Sequence, residues 1–285
     1  LQLQQWIDGY NTENTRNAAR KTHIAWNKYL EWKNIDEKDL IKEIKSDEDS
    51  RYHKLMEFKM DYVKLRPVAQ STMKQYLVFL PKYFRMVHGV KTERSEIEVF
   101  LGKQKLLKVD RVPFTKDIIK MLIHAADEIH KVQYLILSSS GMRISESLLI
   151  DEDNYDFTTD PIKVSIPAEY TKTKIARITF ISKEAGKALL ECPEYWEKRS
   201  LGQDEVYFNR LRKKVNLIEK YANSRNYLYN LHSFRAFFRT EAGKINHDFA
   251  EKILGHTSFD THYVRLDETE KSEYYKKLEP KLRVF

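Results

Sequence analysis

The sequence predicts a mainly α protein built as two units: an all-helical first unit, then a mostly helical second unit with a small antiparallel β-sheet. Three observations predict it. Apolar residues recur at helical spacing along most of the 285 residues. The 8 Gly and 7 Pro are too few for a loop-rich sandwich. Alternation of β-branched residues is confined to one short stretch of the second half. The length exceeds the roughly 100–200 residues of one domain, so two compact units are expected.

The first unit is assigned to residues 1–103. From Thr12 to Trp32, Ala18, Ala19, Ile24, Ala25, Tyr29 and Leu30 recur at helical spacing among Arg16, Arg20, Lys21 and Lys28. DEKDLIKEIKSDEDSRYHKLMEFKMDYVKL reads as two helices separated near Ser46–Ser50. STMKQYLVFLPKYFRMVHG opens with Ser71 and Thr72 as cap candidates and sets Met73, Tyr76, Leu77, Leu80, Phe84 and Val87 along one face. It stops at Gly89, and Pro81 is expected to bend it.

Residues 104–114 read as a basic interdomain linker, with Lys105 and Lys108 available for phosphates. The second unit is assigned to 115–285. Thr115 is expected to cap a helix running to Ala126, and a second apolar helix, Val132 to Leu137, leads into Ser138–Gly141. IKVSIPA and IARITFIS, with YTKTK between them, read as a strand pair over 162–181. Ser182 is expected to cap KEAGKALLE, and from Asn209 onward the chain reads as helices broken near 223–230, 244–247 and 255–261.

Composition bounds the function. Hydrophobic residues at 41% and charged residues at 32% suit a folded, charge-covered protein rather than a disordered one. No apolar run approaches the roughly 20 residues of a membrane helix. The start, LQLQQWIDGY, has neither the basic nor the apolar region of a signal peptide; lacking Met, it is expected to belong to a trimmed or partial chain. The single cysteine, Cys192, permits no internal disulfide and no thiolate zinc cluster. A cytoplasmic setting is therefore expected. The net charge of +8 favours polyanionic partners.

Three separated segments carry chemistry. In SSSGMRISESLLI, Gly141 ends one helix and Arg143 opens the next, with Glu146 three residues on. In LHSFRAFFR, His232 and Arg235 lie on one helical face. In ILGHTSFDTHYVRL, His256 follows a glycine stop and Tyr263 lies beyond a short turn. Two arginines, two histidines and a tyrosine suit phosphoryl transfer, because a guanidinium grips two phosphate oxygens and keeps its charge. No compact carboxylate or His/Cys ligand cluster stands out, so no metal and no cofactor are expected.

The order GxRxxE, a lysine between strands, HxxR, LGH and then a tyrosine resembles the tyrosine recombinase (phage integrase, Xer-like) family. The resemblance covers the whole second unit, and the first unit resembles that family's helical core-binding domain. It implies a site-specific enzyme that cleaves and rejoins DNA through a 3′-phosphotyrosine, without metal or ATP. By resemblance, Arg143 and Arg235 clamp the scissile phosphate, and His232 accepts the tyrosine proton or positions the phosphate. His256 adds a phosphate hydrogen bond, Glu146 orients Arg143, and Tyr263 is the nucleophile. The family's acid is a lysine between two strands; the spacing to Arg177 selects Lys172, with Lys174 the alternative on the same strand face.

One departure stands out: Tyr263 follows His256 by seven residues, two fewer than is usual in the family, whose usual position holds Arg265. Tyr274 and Tyr275 are more distant alternatives. The implied partner is double-stranded DNA with a specific recombination site, bound by a monomer that becomes a tetramer on two duplexes. Arg16, Arg20, Lys21 and Lys74 are candidate phosphate contacts in the first unit. The implied source is a nucleoid-associated, viral or mobile-element enzyme. A topoisomerase-like relative and a catalytically inactive DNA-binding relative are the alternatives.

Overall fold

The computed structural model describes residues 2–101, 112–221, 226–256 and 266–285. The chain divides into two compact units, Leu1–Val109 and Asp110–Phe285. Lys105, Lys108 and Tyr263 lie outside the described residues. Among the described residues, no helix is long and apolar enough to cross a membrane.

The first unit is helical throughout its described length: α1 Gln2–Asp8, α2 Glu13–Lys33, α3 Glu37–Ser46, α4 Glu48–Leu65, α5 Gln70–His88 and α6 Arg94–Leu101. Local chemistry sets the helix ends. Thr12 caps α2 by accepting the Thr15 amide, Asp36 caps α3, and Asp47 closes α3 and opens α4. Gly89 ends α5 in the left-handed conformation (φ 72°). The expected caps Ser71 and Thr72 lie inside α5, which starts after Ala69 with no side-chain cap. An aromatic core of Trp26, Tyr29, Phe58 and Phe84 joins α2, α4 and α5. Each such burial contributes about 1.5–3 kcal/mol. Glu37 fixes the register of that core by accepting from the Trp26 indole and the Tyr83 hydroxyl, both at 2.9 Å. Tyr76 and Tyr83 are core aromatics.

The second unit is mostly α, around the sheet β1 Tyr155–Asp156, β2 Ile162–Ile166 and β3 Arg177–Ile181. Its strands run antiparallel in the order β1-β2-β3, with Val164 opposite Thr179. The helices are α7 Lys116–Ala125, α8 Glu128–Ser140, α9 Ile144–Ser147, α10 Lys183–Leu190, α11 Leu201–Lys214, α12 His232–Ile245, α13 His247–Leu254 and α14 Glu268–Leu282. Thr115 and Ser182 cap α7 and α10 as expected. Helix α11 begins at Leu201, ahead of the expected Asn209, on a Ser200–Gln203 capping box.

Helix α8 is the axis of this unit. Val132 to Ser140 are all buried, and the helix packs against α7, α10, α12, α14 and β3. A helix end buried this deeply leaves carbonyls that need donors. Tyr275 of α14 donates to the Ser139 carbonyl at 2.8 Å, Thr179 of β3 to Ser140 at 2.7 Å, and Arg235 of α12 to Gly141 at 2.5 Å. Three elements thus converge on one helix terminus, and the site is built there.

Candidate active site

Gly141 holds φ 64°, and a Cβ there would collide with the Phe238 ring. This left-handed turn stops α8 and directs the chain to Arg143, the N-cap residue of α9. Glu146, three residues on and fully buried, reaches back to accept the Arg143 amide at 2.7 Å and the Arg143 guanidinium at 2.6 Å. The oxygen that accepts the Arg143 amide, Oε2, also receives the Arg177 guanidinium at 2.6 Å. One carboxylate therefore anchors two arginines. Burial alone would raise the Glu146 carboxyl; Arg177, then the Arg143 amide and guanidinium, hold it below the ordinary carboxylate range.

Arg235 is buried on α12 and held by main-chain oxygens at two helix ends. Nη1 donates to the Gly141 carbonyl at 2.5 Å and Nη2 to the Leu254 carbonyl at 2.6 Å. Helix C-termini carry partial negative charge, so these oxygens suit a cation without neutralising it. Burial first, then the neighbouring Arg143 and Arg177, pull the Arg235 guanidinium down to about 9. It keeps its charge at neutral pH.

Gly255, at φ 68°, ends α13 and delivers His256. The His256 Nδ1 meets Glu251 Oε2 at 2.7 Å, and Nε2 lies 3.2 Å from Arg235 Nη2. A carboxylate only accepts and a guanidinium only donates, which assigns the ring proton to Nδ1 and leaves Nε2 as acceptor. Burial lowers His256 below the ordinary imidazole range, with Glu251 opposing and Arg235 adding to that shift. Glu251 is in turn gripped by Arg239, whose Nε and Nη2 lie 2.8 and 2.7 Å from Oε1.

Arg143, Glu146, Arg235 and His256 thus come together from three distant segments. Sequence reading passed over three others in the cluster: Arg177, Glu251 and Arg239. In the sequence Arg177 marks only the spacing to the lysine, although an arginine opening an apolar strand is itself a signal. Glu251 lies five residues before His256.

The other residues singled out in the sequence have different settings. His232 is the first residue of α12 and is exposed, whereas Arg235 is buried. Lys172 and Lys174 lie in the 167–176 connection between β2 and β3; both are exposed and neither is on a strand, so they share no strand face. Lys174 takes a left-handed conformation (φ 57°) and donates to the Glu169 carbonyl at 2.9 Å. Tyr275 is fully buried against Phe180 and bonded to Ser139, which removes it as an alternative nucleophile; Tyr274 packs half-buried on Phe249. In the first unit, Arg16 and Arg20 are engaged by Glu13, and Lys21 and Lys74 are exposed.

Four guanidiniums (Arg143, Arg177, Arg235 and Arg239) face two carboxylates (Glu146 and Glu251). A surplus of positive charge that is partly buried is chemically suited to an anion. Sulfate is therefore expected to raise the melting temperature more in the unmutated protein than in Arg235→Met, compared at equal ionic strength with chloride. An anion at about a hundred times its Kd adds about 2.7 kcal/mol. Equal gains in both proteins would show that this cluster does not hold the anion.

No protein-family model matches the chain, and no curated protein matches its sequence. Its fold does have counterparts: the described architecture is that of the tyrosine recombinases. Among the solved structures it resembles is a lambda integrase dimer bound to a COC′ core site, with a TM-score of 0.57 at 16% identity, covering 94% of this chain and 100% of that one. The Tn1549 transposon integrase in complex with transposon right-end DNA gives 0.55 at 15% identity, covering 90% and 99%. The XerH site-specific recombinase bound to a palindromic difH substrate gives 0.50 at 16% identity, covering 77% and 67%. At these identities the likeness is one of fold.

Proposed function

We propose that the chain is a site-specific recombinase that breaks and rejoins duplex DNA through a phosphotyrosine. The observation that carries this reading is the convergence of Arg143, Arg235 and His256 at the ends of α8 and α13, with net positive charge. The fold adds support, since the similar structures named above hold DNA.

In this mechanism Arg143 and Arg235 hold the non-bridging oxygens of the scissile phosphate. They also stabilise the charge that accumulates as phosphorus becomes pentacoordinate. The Tyr263 hydroxyl attacks phosphorus and gives its proton to His232. The bond from Oη to phosphorus forms, the bond to the 5′ oxygen breaks, and that oxygen takes a proton from Lys172 (Lys174 is the alternative). His256, once Nε2 has taken up a proton and left Arg235, donates a further hydrogen bond to the phosphate. The phosphotyrosine conserves the energy of the diester, so attack by another strand's 5′-hydroxyl reverses the step. Strand exchange then requires two duplexes and four protomers. Phosphate contacts elsewhere, including Lys21, Lys74, Lys105 and Lys108, and Arg16 and Arg20 after leaving Glu13, give binding that weakens with salt.

A nicked duplex carrying the sequence that the protein selects from a randomised pool tests this directly, incubated without metal and run on a denaturing gel. The expected result is a protein–DNA adduct that disappears in Tyr263→Phe. Binding without an adduct would replace this reading with that of a non-catalytic DNA-binding protein. An adduct surviving in Tyr263→Phe would move the nucleophile elsewhere.

A further inference from the structure

Arg177 is the first residue of β3, where the connection bearing Lys172 and Lys174 rejoins the sheet. Its side chain is 7% exposed and ties that point to two distant segments. Nη2 reaches Glu146, 31 residues away in sequence, and Nη1 reaches the Ile253 carbonyl at 2.7 Å, 76 residues away. The approach to α13 is close: a Cβ on Gly255 would lie 2.7 Å from the Arg177 Cδ.

This burial is poorly suited to stability alone. The Arg177 Nε is buried without a partner, and Glu146 is shared with a second arginine. Desolvating a guanidinium is costly, and an apolar side chain of similar volume would often hold such a sheet edge as well or better. The location of the tie accounts for it better. Lys172 is five residues from Arg177, a span of at most about 17 Å even when fully extended. Fixing β3 at Arg177 thus bounds where the connection can carry its lysine.

We propose that Arg177 is a positioning residue. It pins the start of β3 to the Arg143–Glu146 pair and to the end of α13, and so holds the lysine-bearing connection within reach of the phosphate site. The inference rests on the reading above, in which that lysine protonates the leaving 5′ oxygen.

The leaving group separates this role from a grip on the phosphate. In a 5′-bridging phosphorothiolate the leaving atom is sulfur, which departs as a thiolate and needs no proton. The selected nicked duplex is prepared with oxygen or with sulfur at the scissile position. Unmutated protein, Arg177→Lys and Arg177→Gln are compared in single-turnover adduct formation, after melting curves establish that each variant folds. Lysine keeps the charge but cannot reach both partners. The expected result is a loss of about 100-fold on the oxygen duplex, the scale of a misplaced general acid, and a rate close to unmutated on the sulfur duplex. An equal loss on both duplexes, or no loss on either, overturns the proposal. Failure of both variants to fold assigns Arg177 to the fold and overturns it as well. If the unmutated protein forms no adduct on either duplex, the recombinase reading itself falls, and this inference with it.

Discussion

Arg235→Lys is expected to slow adduct formation on the nicked duplex by about 1,000-fold, the upper range for removal of one preorganised transition-state donor. The variant keeps the positive charge, so charge alone does not explain the expected effect. The guanidinium plane bridges the Gly141 and Leu254 carbonyls and also presents Nη2 toward His256. An ammonium offers a point charge without that fork, and engaging one carbonyl leaves the other buried and unmet. Affinity for the duplex should change little, because many other phosphate contacts carry it. Single-turnover kinetics alongside a binding titration give both readings. A loss smaller than tenfold would mean that the phosphate is gripped mainly by other groups.

Glu146→Ala is expected to lower the stability of the second unit by about 3–5 kcal/mol at pH 7, the range for removing one partner of a buried ion pair. Glu146 is fully buried, and Arg143 and Arg177 both depend on it. Its removal leaves adjacent guanidiniums without a counter-charge. The pH dependence has a definite sign. The folded-state pKa of Glu146 is depressed, so its contribution is complete above the unfolded carboxylate value and is lost as pH falls through the lower folded value. The gap between unmutated and variant proteins should therefore close only in strong acid. Urea unfolding followed by circular dichroism across a pH series measures it. A gap below about 1 kcal/mol at pH 7, the scale of an exposed pair, would show that the arginines are well enough hydrated without it.

Helix ends governed by neighbouring residues were legible in the sequence: Thr115 and Ser182 as caps, and Gly89, Gly141 and Gly255 as stops. The strand pair flanking YTKTK was legible because its β-branched residues interrupt a helical background. Ser71 and Thr72 misled because cap chemistry recurs inside helices; α5 begins at Gln70. Short α1 and α6 carry too few turns for a periodic signal.

The ordered set of Arg143, Glu146, Arg235 and His256 could be read because each stands in a recognisable local motif. Arg177, Glu251 and Arg239 could not, since their roles exist only once β3, α12 and α13 pack together. Even for Glu146 the sequence supported only the local contact with Arg143. The second arginine on that carboxylate comes from a strand 31 residues away.

The oxygens that hold Arg235 belong to the peptide chain itself. No substitution at position 141 or 254 can delete a carbonyl, and no change of pH can titrate one. The holder is lost only if α8 or α13 ends elsewhere, which makes the two left-handed glycines at 141 and 255 the positions that encode it. Drift in the surrounding side chains would leave this arginine's seat intact, whereas a shift of either helix terminus by one residue would remove it.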